Sequence, residues 1–354
     1  MSDTGPEVLL RVDGRAGVIT LNRPRAINAL SHAMVRAVDA ALRDWERDPA
    51  VRTVVVEGAG ERGLCAGGDI RAIHDDARAG TGAARDFWYD EYRLNARVAR
   101  FPKPYVALMD GIVMGGGVGV SAHGSVRIVT ERSRVAMPET GIGFVPDVGG
   151  TQLLARAPGE LGTHLGLTGE SMTASDALAC GFADHFVPSA ALPELLRDLA
   201  RLPAEDAVAR HAARAPAGTL TASRDWIDAG YAADSVEEIV ERLRAAPGEG
   251  PRRAAEALGT RSPTALKVTL AALRRARGLG TLEAVLAQEY RTSCHALETA
   301  DLVEGIRAQV IDKDRRPSWR PPTLAEVTPA DVARFFSPLE GRELRLPPPT
   351  GAVG

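Results

Sequence analysis

The stretch Met137–Gly150 reads MPETGIGFVPDVGG and places two carboxylates, Glu139 and Asp147, eight positions apart. Four glycines, two prolines and apolar residues make up most of the rest, and no lysine or arginine lies within the segment. This composition is typical of tight, buried backbone. Acids in such a setting are weakly hydrated, which favours roles as a nucleophile or a general base.

Two glycine-rich loops precede this segment, and each follows a predicted strand. They are CAGGDI (Cys65–Ile70) and GIVMGGGVG (Gly111–Gly119). Consecutive glycines let backbone N–H groups approach a ligand closely, which suits a phosphate or the oxyanion that develops on a carbonyl. Neither loop has the Lys-Ser/Thr ending of a P-loop or a dinucleotide-binding GxGxxG pattern. The alternative for each loop is a tight turn against the core.

Short strands, glycine loops and helices alternate along the first part of the chain, which predicts an α/β fold. Residues 8–21 predict a β-hairpin, and Ser31, Thr173, Ser262 and Thr328 are predicted helix caps. After residue 187 the strand patterns give way to helical ones. We therefore expect an α/β core over 1–190, a helical region over 191–340 and a disordered tail over 341–354, with an internal linker at 247–251 (PGEGP).

Bulk composition excludes several classes of function. The 354 residues include 43 basic and 46 acidic side chains, for a net charge of −3, so no broad field favours nucleic acid or an anionic membrane. No apolar run approaches the ~20 residues of a membrane span. Three cysteines without metal-type spacing predict free thiols and no metal site. With no signal-like or transit-like N-terminal pattern, we expect a cytoplasmic protein.

Taken together, AGGDI, MGGGVG and MPETGIGFVPDVGG resemble the crotonase (enoyl-CoA hydratase/isomerase) superfamily, and most closely its thioester hydrolases. The similarity extends over residues 8–336 and includes DEYRLNARV (Asp90–Val98), KPYVALMDG (Lys103–Gly111), SPTALKVTL (Ser262–Leu270) and VIDKDRRPSW (Val310–Trp319). The resemblance implies a crotonase-type spiral of repeated ββα units with a helical C-terminal region. It also implies an acyl-CoA substrate, with 3-hydroxyisobutyryl-CoA, from valine breakdown, as the expected thioester.

The resemblance also implies roles for particular residues. The backbone N–H groups of Gly68 and Gly116 match the oxyanion hole, and Glu139 matches the nucleophile or general base. Asp147 matches the group that holds the substrate's 3-hydroxyl, and Glu91 matches a substrate contact. CoA itself is expected near Arg25, Ala26, Ala66, Asp69 and Ile70. No separate cofactor is expected, since CoA is part of the substrate.

Two other functions stay open at this point. Familiar hydratases of the superfamily carry a second catalytic glutamate at the position of Gly119, so the glycine here disfavours an enoyl-CoA hydratase or isomerase. A non-catalytic acyl-CoA binding protein has no need of both Glu139 and Asp147. Each acid also has a purely structural alternative, the capping of backbone N–H groups. A homo-oligomer is a further expectation, since superfamily members often form trimers.

Overall fold

The computed structural model describes residues 5–346, and these fold into two compact units whose segments alternate along the chain. The first unit takes the chain up to Gly68, then Asp90–Ala136 and Met172–Gly218. The second takes Asp69–Tyr89, Met137–Ser171 and the chain from Thr219 onward.

All strands of the described residues belong to the first unit, in two sheets. The six-stranded sheet has the order β1-β2-β3-β5-β7-β9, antiparallel between β1 and β2 and parallel elsewhere. The second sheet, β4-β6-β8, is parallel throughout. The strands are β1 (Val8–Asp13), β2 (Ala16–Leu21), β3 (Thr53–Gly58), β4 (Gly63–Cys65), β5 (Tyr105–Met109), β6 (Ile112–Met114), β7 (Val126–Val129), β8 (Arg134–Ala136) and β9 (His185–Phe186).

The sixteen α-helices of the described residues are distributed over both units, and helix α3 passes from the second into the first. They are α1 (His32–Arg47), α2 (Ile70–Ala79), α3 (Ala83–Ala99), α4 (Gly116–Gly119), α5 (Gly150–Arg156), α6 (Leu161–Thr168), α7 (Ala174–Ala179), α8 (Leu192–Leu199), α9 (Ala204–His211), α10 (Arg224–Tyr231), α11 (Val236–Ala245), α12 (Glu249–Leu258), α13 (Pro263–Leu279), α14 (Leu282–Ala296), α15 (Ala300–Ile306) and α16 (Pro329–Arg334).

The second unit is helical, and α13 is its central element. This helix packs against α5, α6 and α14, and most of its length is buried. In the first unit, an apolar core lies between the six-stranded sheet and the pair α8 and α9, with Val55, Val106 and Leu195 among its fully buried members. Burial of such side chains stabilises each unit by roughly 1.5–3 kcal/mol per large residue.

Local sequence signals set many of these boundaries. The hairpin at residues 8–21 forms, and the Ser31 side chain accepts a hydrogen bond from the Met34 N–H at 3.2 Å. Thr173 and Thr328 each begin a capping box, while Ser262 caps α13. The predicted α/β core with a helical C-terminal region is confirmed.

Other expectations need revision. The linker predicted at 247–251 is wrong, because α12 begins at Glu249 and its Pro251 is buried. The sequence analysis missed the short strands β4 and β6, because a three-residue strand beside glycines is too short to show an alternating apolar pattern. The three consecutive regions proposed from the sequence stay a prediction, and residues 347–354 of the tail expected over 341–354 lie outside the described residues. Within residues 5–346, no helix has the length and apolarity required to cross a membrane.

Two helical glycines of the second unit give a matched test of this packing. A Cβ on Gly162 would overlap the Leu154 carbonyl oxygen, whereas a Cβ on Gly278 would meet nothing within 4 Å. We expect Gly162→Ala to lower the free energy of unfolding by more than ~2 kcal/mol, because backbone must move. Gly278→Ala should be neutral or stabilising by up to ~1 kcal/mol. Urea denaturation measures both, and equal effects would contradict the packing described.

Candidate active site

Glu139 opens a buried 3₁₀ turn, Glu139–Ile142, in the second unit. Its side chain is 6% exposed, and its carbonyl oxygen accepts a hydrogen bond from the Phe144 N–H at 3.0 Å. The next residue, Thr140, donates its hydroxyl to the Leu167 carbonyl at 3.1 Å. These bonds fix the turn from both ends, so the Glu139 side chain projects from rigid backbone.

Close packing explains why the segment is rich in glycine. Gly143 has a φ of +71°, and a Cβ there would overlap the Asp301 carbonyl. A Cβ on Gly150 would lie 2.5 Å from the Met137 methyl carbon. A neighbouring backbone and a neighbouring side chain therefore approach closely here and leave little room for water around the acids.

Asp147 lies just before a turn of unusual conformation. Val148 and Gly149 both have positive φ, 53° and 80°, and helix α5 then begins at Gly150. The Asp147 carbonyl accepts from the Gly150 N–H at 2.6 Å, and the Asp147 side chain is 5% exposed. A β-branched residue in the left-handed region is strained and persists only where other contacts hold it.

Glu289 on helix α14 makes hydrogen bonds to residues that follow Val148. Its carboxylate accepts from the Gly149 N–H at 2.6 Å, the Thr151 N–H at 2.9 Å and the Thr151 hydroxyl at 2.6 Å. It thereby caps the start of α5 from 138 to 140 residues away along the chain. The sequence analysis missed Glu289. Helical spacing could have indicated it, because Glu289 follows Val285 by four residues and Leu286 by three and so lies on the buried face of α14.

The three acids perturb one another. Burial raises the pKa of Glu139 well above its usual range, and the charges of Asp147 and Glu289 raise it further. Burial also raises the pKa of Glu289 to about 8, against hydrogen bonds that act to lower it. The Glu139 Oε2 atom is buried and has no hydrogen-bond partner among the described residues. An acid with this environment is weakly stabilised as a carboxylate and correspondingly reactive.

A half-buried arginine lies beside the turn. A Cβ on Gly141 would be 3.2 Å from a terminal nitrogen of Arg261, whose guanidinium donates to the Thr168 carbonyl. Burial lowers the pKa of Arg261, so its charge is also poorly solvated.

The first unit carries the two predicted oxyanion-hole residues. Gly68 forms a parallel bridge with Leu30, and Gly116 is the first residue of the short helix α4. Its N–H therefore has no acceptor within that turn. A Cβ on Gly116 would lie 3.2 Å from the Gly68 nitrogen, so the two peptides are close neighbours. The structure brings Gly68 and Gly116 together, and their role in binding an oxyanion stays a prediction.

Glu91 lies beside these glycines. Its Oε1 atom is 2.6 Å from the Cβ position on Gly116, and the side chain is 1% exposed. A surface position, the alternative for a helical glutamate, is therefore wrong. One helical turn later, Asn95 is fully buried, and neither polar atom of its amide has a hydrogen-bond partner within residues 5–346. The sequence analysis missed Asn95, which shares the buried face of α3 with Glu91.

The candidate CoA contacts fall in two places. The turn that holds Arg25 and Ala26 is exposed, and it is joined to the first glycine loop by the Ala66 N–H, which donates to the Ile27 carbonyl at 2.9 Å. Asp69 and Ile70 belong to the second unit, where the Asp69 side chain caps α2 by accepting from the Ala72 N–H at 3.4 Å. A capping role for Asp69 is thus observed, and its contact with CoA stays a prediction.

Other reactive groups are few. No cluster of three or more potential metal ligands occurs among the described residues. Burial raises the pKa values of all three cysteine thiols, to about 12 for Cys65 and Cys180 and about 11 for Cys294. Because the thiolate is the nucleophilic form, these cysteines are poor candidates for catalysis.

The first unit has parallel strands and two neighbouring glycine loops, and the second is helical and buries Glu139, Asp147 and Glu289. Residues 16–336 match the family described as enoyl-CoA hydratase/isomerase, and the chain belongs to that family.

Individual relatives agree on the family and carry different reaction names. The chain is 41% identical to a Gallus gallus protein named 3-hydroxyisobutyryl-CoA hydrolase, mitochondrial, over 98% of this chain and 92% of that protein. It is 53% identical to a crystal structure from Mycobacterium thermoresistibile described as a carnitinyl-CoA dehydratase, with a TM-score of 0.94 and coverage of 96% and 99%. A Rhodobacter sphaeroides structure described as an enoyl-CoA hydratase is 47% identical, with a TM-score of 0.91 and coverage of 96% and 100%.

These comparisons confirm the predicted superfamily and its fold. They contradict the cytoplasmic location expected from the N-terminal sequence, because the hydrolase relatives are named as mitochondrial proteins. Composition of the first residues was an insufficient guide to location. The assigned catalytic and binding roles stay predictions.

The raised pKa of Glu139 predicts a specific pH dependence of stability. The folded state retains the Glu139 proton above the ordinary pKa of 4.5, whereas the unfolded state releases it there. The free energy of unfolding therefore falls as pH rises from 4.5 toward the raised pKa. Glu139→Gln removes this contribution, which is at most about 1.4 kcal/mol per pH unit for one proton. Urea denaturation at several pH values measures the difference, and identical slopes would contradict a raised pKa.

Proposed function

We propose that this chain hydrolyses 3-hydroxyisobutyryl-CoA to 3-hydroxyisobutyrate and CoA, a step of valine breakdown. Relatives that cover almost the whole chain at 41–43% identity carry the name of this hydrolase. The observation in the structure that supports the chemistry best is Glu139, a buried carboxylate with one oxygen lacking a hydrogen-bond partner in the described part of the chain.

Glu139 is assigned to the attack on the thioester, by one of two routes. As a general base it takes a proton from water, and the water oxygen bonds to the carbonyl carbon. The carbon–sulfur bond then breaks, its electron pair leaves with sulfur, and the CoA thiolate takes up a proton. As a nucleophile, the carboxylate oxygen itself bonds to that carbon and expels CoA, which leaves a mixed anhydride for water to cleave. Single turnover in heavy-oxygen water that labels Glu139 would establish the anhydride.

The amides of Gly68 and Gly116 are assigned to the negative charge that develops on the thioester oxygen. Preorganised N–H donors of this kind lower the barrier by about 3–4 kcal/mol each in comparable enzymes. The short separation of these two peptides in the first unit supports the assignment. Glu91, against Gly116, is assigned to substrate contact, and the exposed turn at Arg25 and Ala26, with Ala66, Asp69 and Ile70, to CoA.

Asp147 is assigned to the substrate's 3-hydroxyl. Its side chain is 5% exposed, so a hydroxyl that donates to it forms a poorly screened, charge-assisted bond. An acyl chain without the hydroxyl leaves this carboxylate without that bond, and sites of this design discriminate strongly.

A hydratase or dehydratase is the second candidate, because two solved structures of similar fold carry those names. Hydration in this superfamily uses two glutamates on one water. Here Gly119, buried within α4, takes the place of the first, so only one of the pair is present. This chain is therefore better equipped for hydrolysis than for hydration. Self-association, expected from the superfamily, stays a prediction.

A single assay separates the two functions. Purified protein is offered 3-hydroxyisobutyryl-CoA and an enoyl-CoA, while free thiol and enoyl absorbance are recorded together. We expect thiol release from the first substrate, and a fall in kcat of at least about a hundredfold in Glu139→Gln. Glu256→Gln, at a side chain 62% exposed, is the control and should retain full activity. Enoyl absorbance change without thiol release would contradict hydrolysis.

The assignment of Asp147 predicts a loss of selectivity. Isobutyryl-CoA differs from the expected substrate only in lacking the 3-hydroxyl. Asp147→Asn keeps the shape of the side chain and removes its charge, so we expect the ratio of kcat/KM between the two substrates to fall by about tenfold. An unchanged ratio, with both rates lowered equally, would show that Asp147 does not hold the hydroxyl.

A further inference from the structure

We propose that Glu289 is a positioning residue for this reaction, which fixes the backbone turn after Asp147 and thereby the substrate selectivity that Asp147 confers. The inference rests on the proposed function, and it concerns only residues of the second unit. Glu289 and Asp147 are 142 positions apart in the sequence, and Glu289 meets the turn through hydrogen bonds.

The contacts of Glu289 are directed at the turn itself. One oxygen accepts from the Gly149 N–H at 2.6 Å, and the other accepts from the Thr151 N–H at 2.9 Å and the Thr151 hydroxyl at 2.6 Å. These donors bracket Gly150, whose own N–H donates to the Asp147 carbonyl at 2.6 Å. The peptides that follow Asp147 are thus held at three successive positions.

The turn needs such support. Val148 has a φ of 53° and Gly149 a φ of 80°, so two consecutive residues adopt the left-handed conformation. A β-branched valine there is strained, and relaxation would rotate the peptide that joins it to Asp147. The Glu289 contacts therefore restrain that rotation, and their loss is expected to shift the Asp147 side chain.

The site also requires a carboxyl group rather than any polar side chain. Glu289 is 1% exposed, and in its ionised form, which burial disfavours by raising the pKa to about 8, both of its oxygens are used as acceptors. An amide offers one acceptor oxygen. Its NH₂ group would therefore face either the Gly149 N–H or the Thr151 N–H, depending on how the amide is turned. Glutamine at this position therefore leaves at least one buried donor unsatisfied, although its size is the same.

Substrate selectivity distinguishes a positioning role of Glu289 from a purely structural one. We compare wild type and Glu289→Gln for the ratio of kcat/KM between 3-hydroxyisobutyryl-CoA and isobutyryl-CoA. Positioning predicts a fall of about tenfold in this ratio, mostly through the hydroxylated substrate. It also predicts no further fall when Glu289→Gln is added to Asp147→Asn, because one acts through the other.

Asp176→Asn is the matched control, in the first unit. Asp176 is also a buried carboxylate at a helix start, where it accepts from the Thr173 N–H at 3.1 Å and hydroxyl at 2.6 Å. We expect a comparable loss of thermal stability and an unchanged selectivity ratio. If Glu289→Gln does not fold, Thr151→Val removes one of the three donors at a fully buried position and should shift the ratio about threefold in the same direction.

Binding separates failure of this inference from failure of the proposed function. Calorimetry in the Glu139→Gln background gives the Kd of each substrate without turnover. A hydroxyl preference that weakens in Glu139→Gln/Glu289→Gln supports positioning, even if the wild type releases no thiol. Equal effects of Glu289→Gln on both substrates, or fully additive effects with Asp147→Asn, would overturn it. So would the absence of any hydroxyl preference in binding.

Discussion

Burial of three carboxyl groups, Glu139, Asp147 and Glu289, in one helical unit is the constraint on which the chemistry of this protein depends. Taking a carboxylate out of water costs several kcal/mol unless donors replace the lost hydration. Glu289 obtains three donors from the backbone and hydroxyl groups at the start of α5. Glu139 has one oxygen without a partner among residues 5–346. The least compensated acid is thus the one proposed to attack the thioester.

The same arrangement explains the local backbone. Glycines at 143 and 150 let the Asp301 backbone and the Met137 side chain approach closely, while the residues that follow the strained Val148 are held by Glu289. Part of the favourable free energy of folding is therefore offset by the cost of keeping poorly solvated acids in place. This is a common relation between stability and activity, in which reactive groups are less stable than inert replacements would be. It also distinguishes Glu289, which binds backbone, from Glu139 and Asp147, for which substrate roles are proposed.

The sequence predicted what local chemistry determines. Caps at Ser31, Thr173 and Ser262 depend on bonds within one helical turn, and all were found. The candidate acids at 139 and 147 followed from their apolar surroundings and from family resemblance. Glu289 and Asn95 were missed because their importance depends on burial and on contacts that composition does not reveal. The linker at 247–251 failed because its Pro-Gly signal lies at a helix start, where proline is tolerated.

Within this family, hydrolysis and hydration use the same fold and are expected to differ in the side chains that face the reacting carbons. The chain shares its fold with structures described as a dehydratase and a hydratase, and other relatives, at 41–43% identity, are named as hydrolases. In both reactions, polarisation of a thioester by backbone amides is expected, so we assign the difference in outcome to the buried acids. The most direct test is a ¹³C NMR titration of the Glu139 carboxyl, assigned by comparison with Glu139→Gln. A midpoint well above 4.5 is predicted, and a midpoint at or below 4.5 would contradict the account.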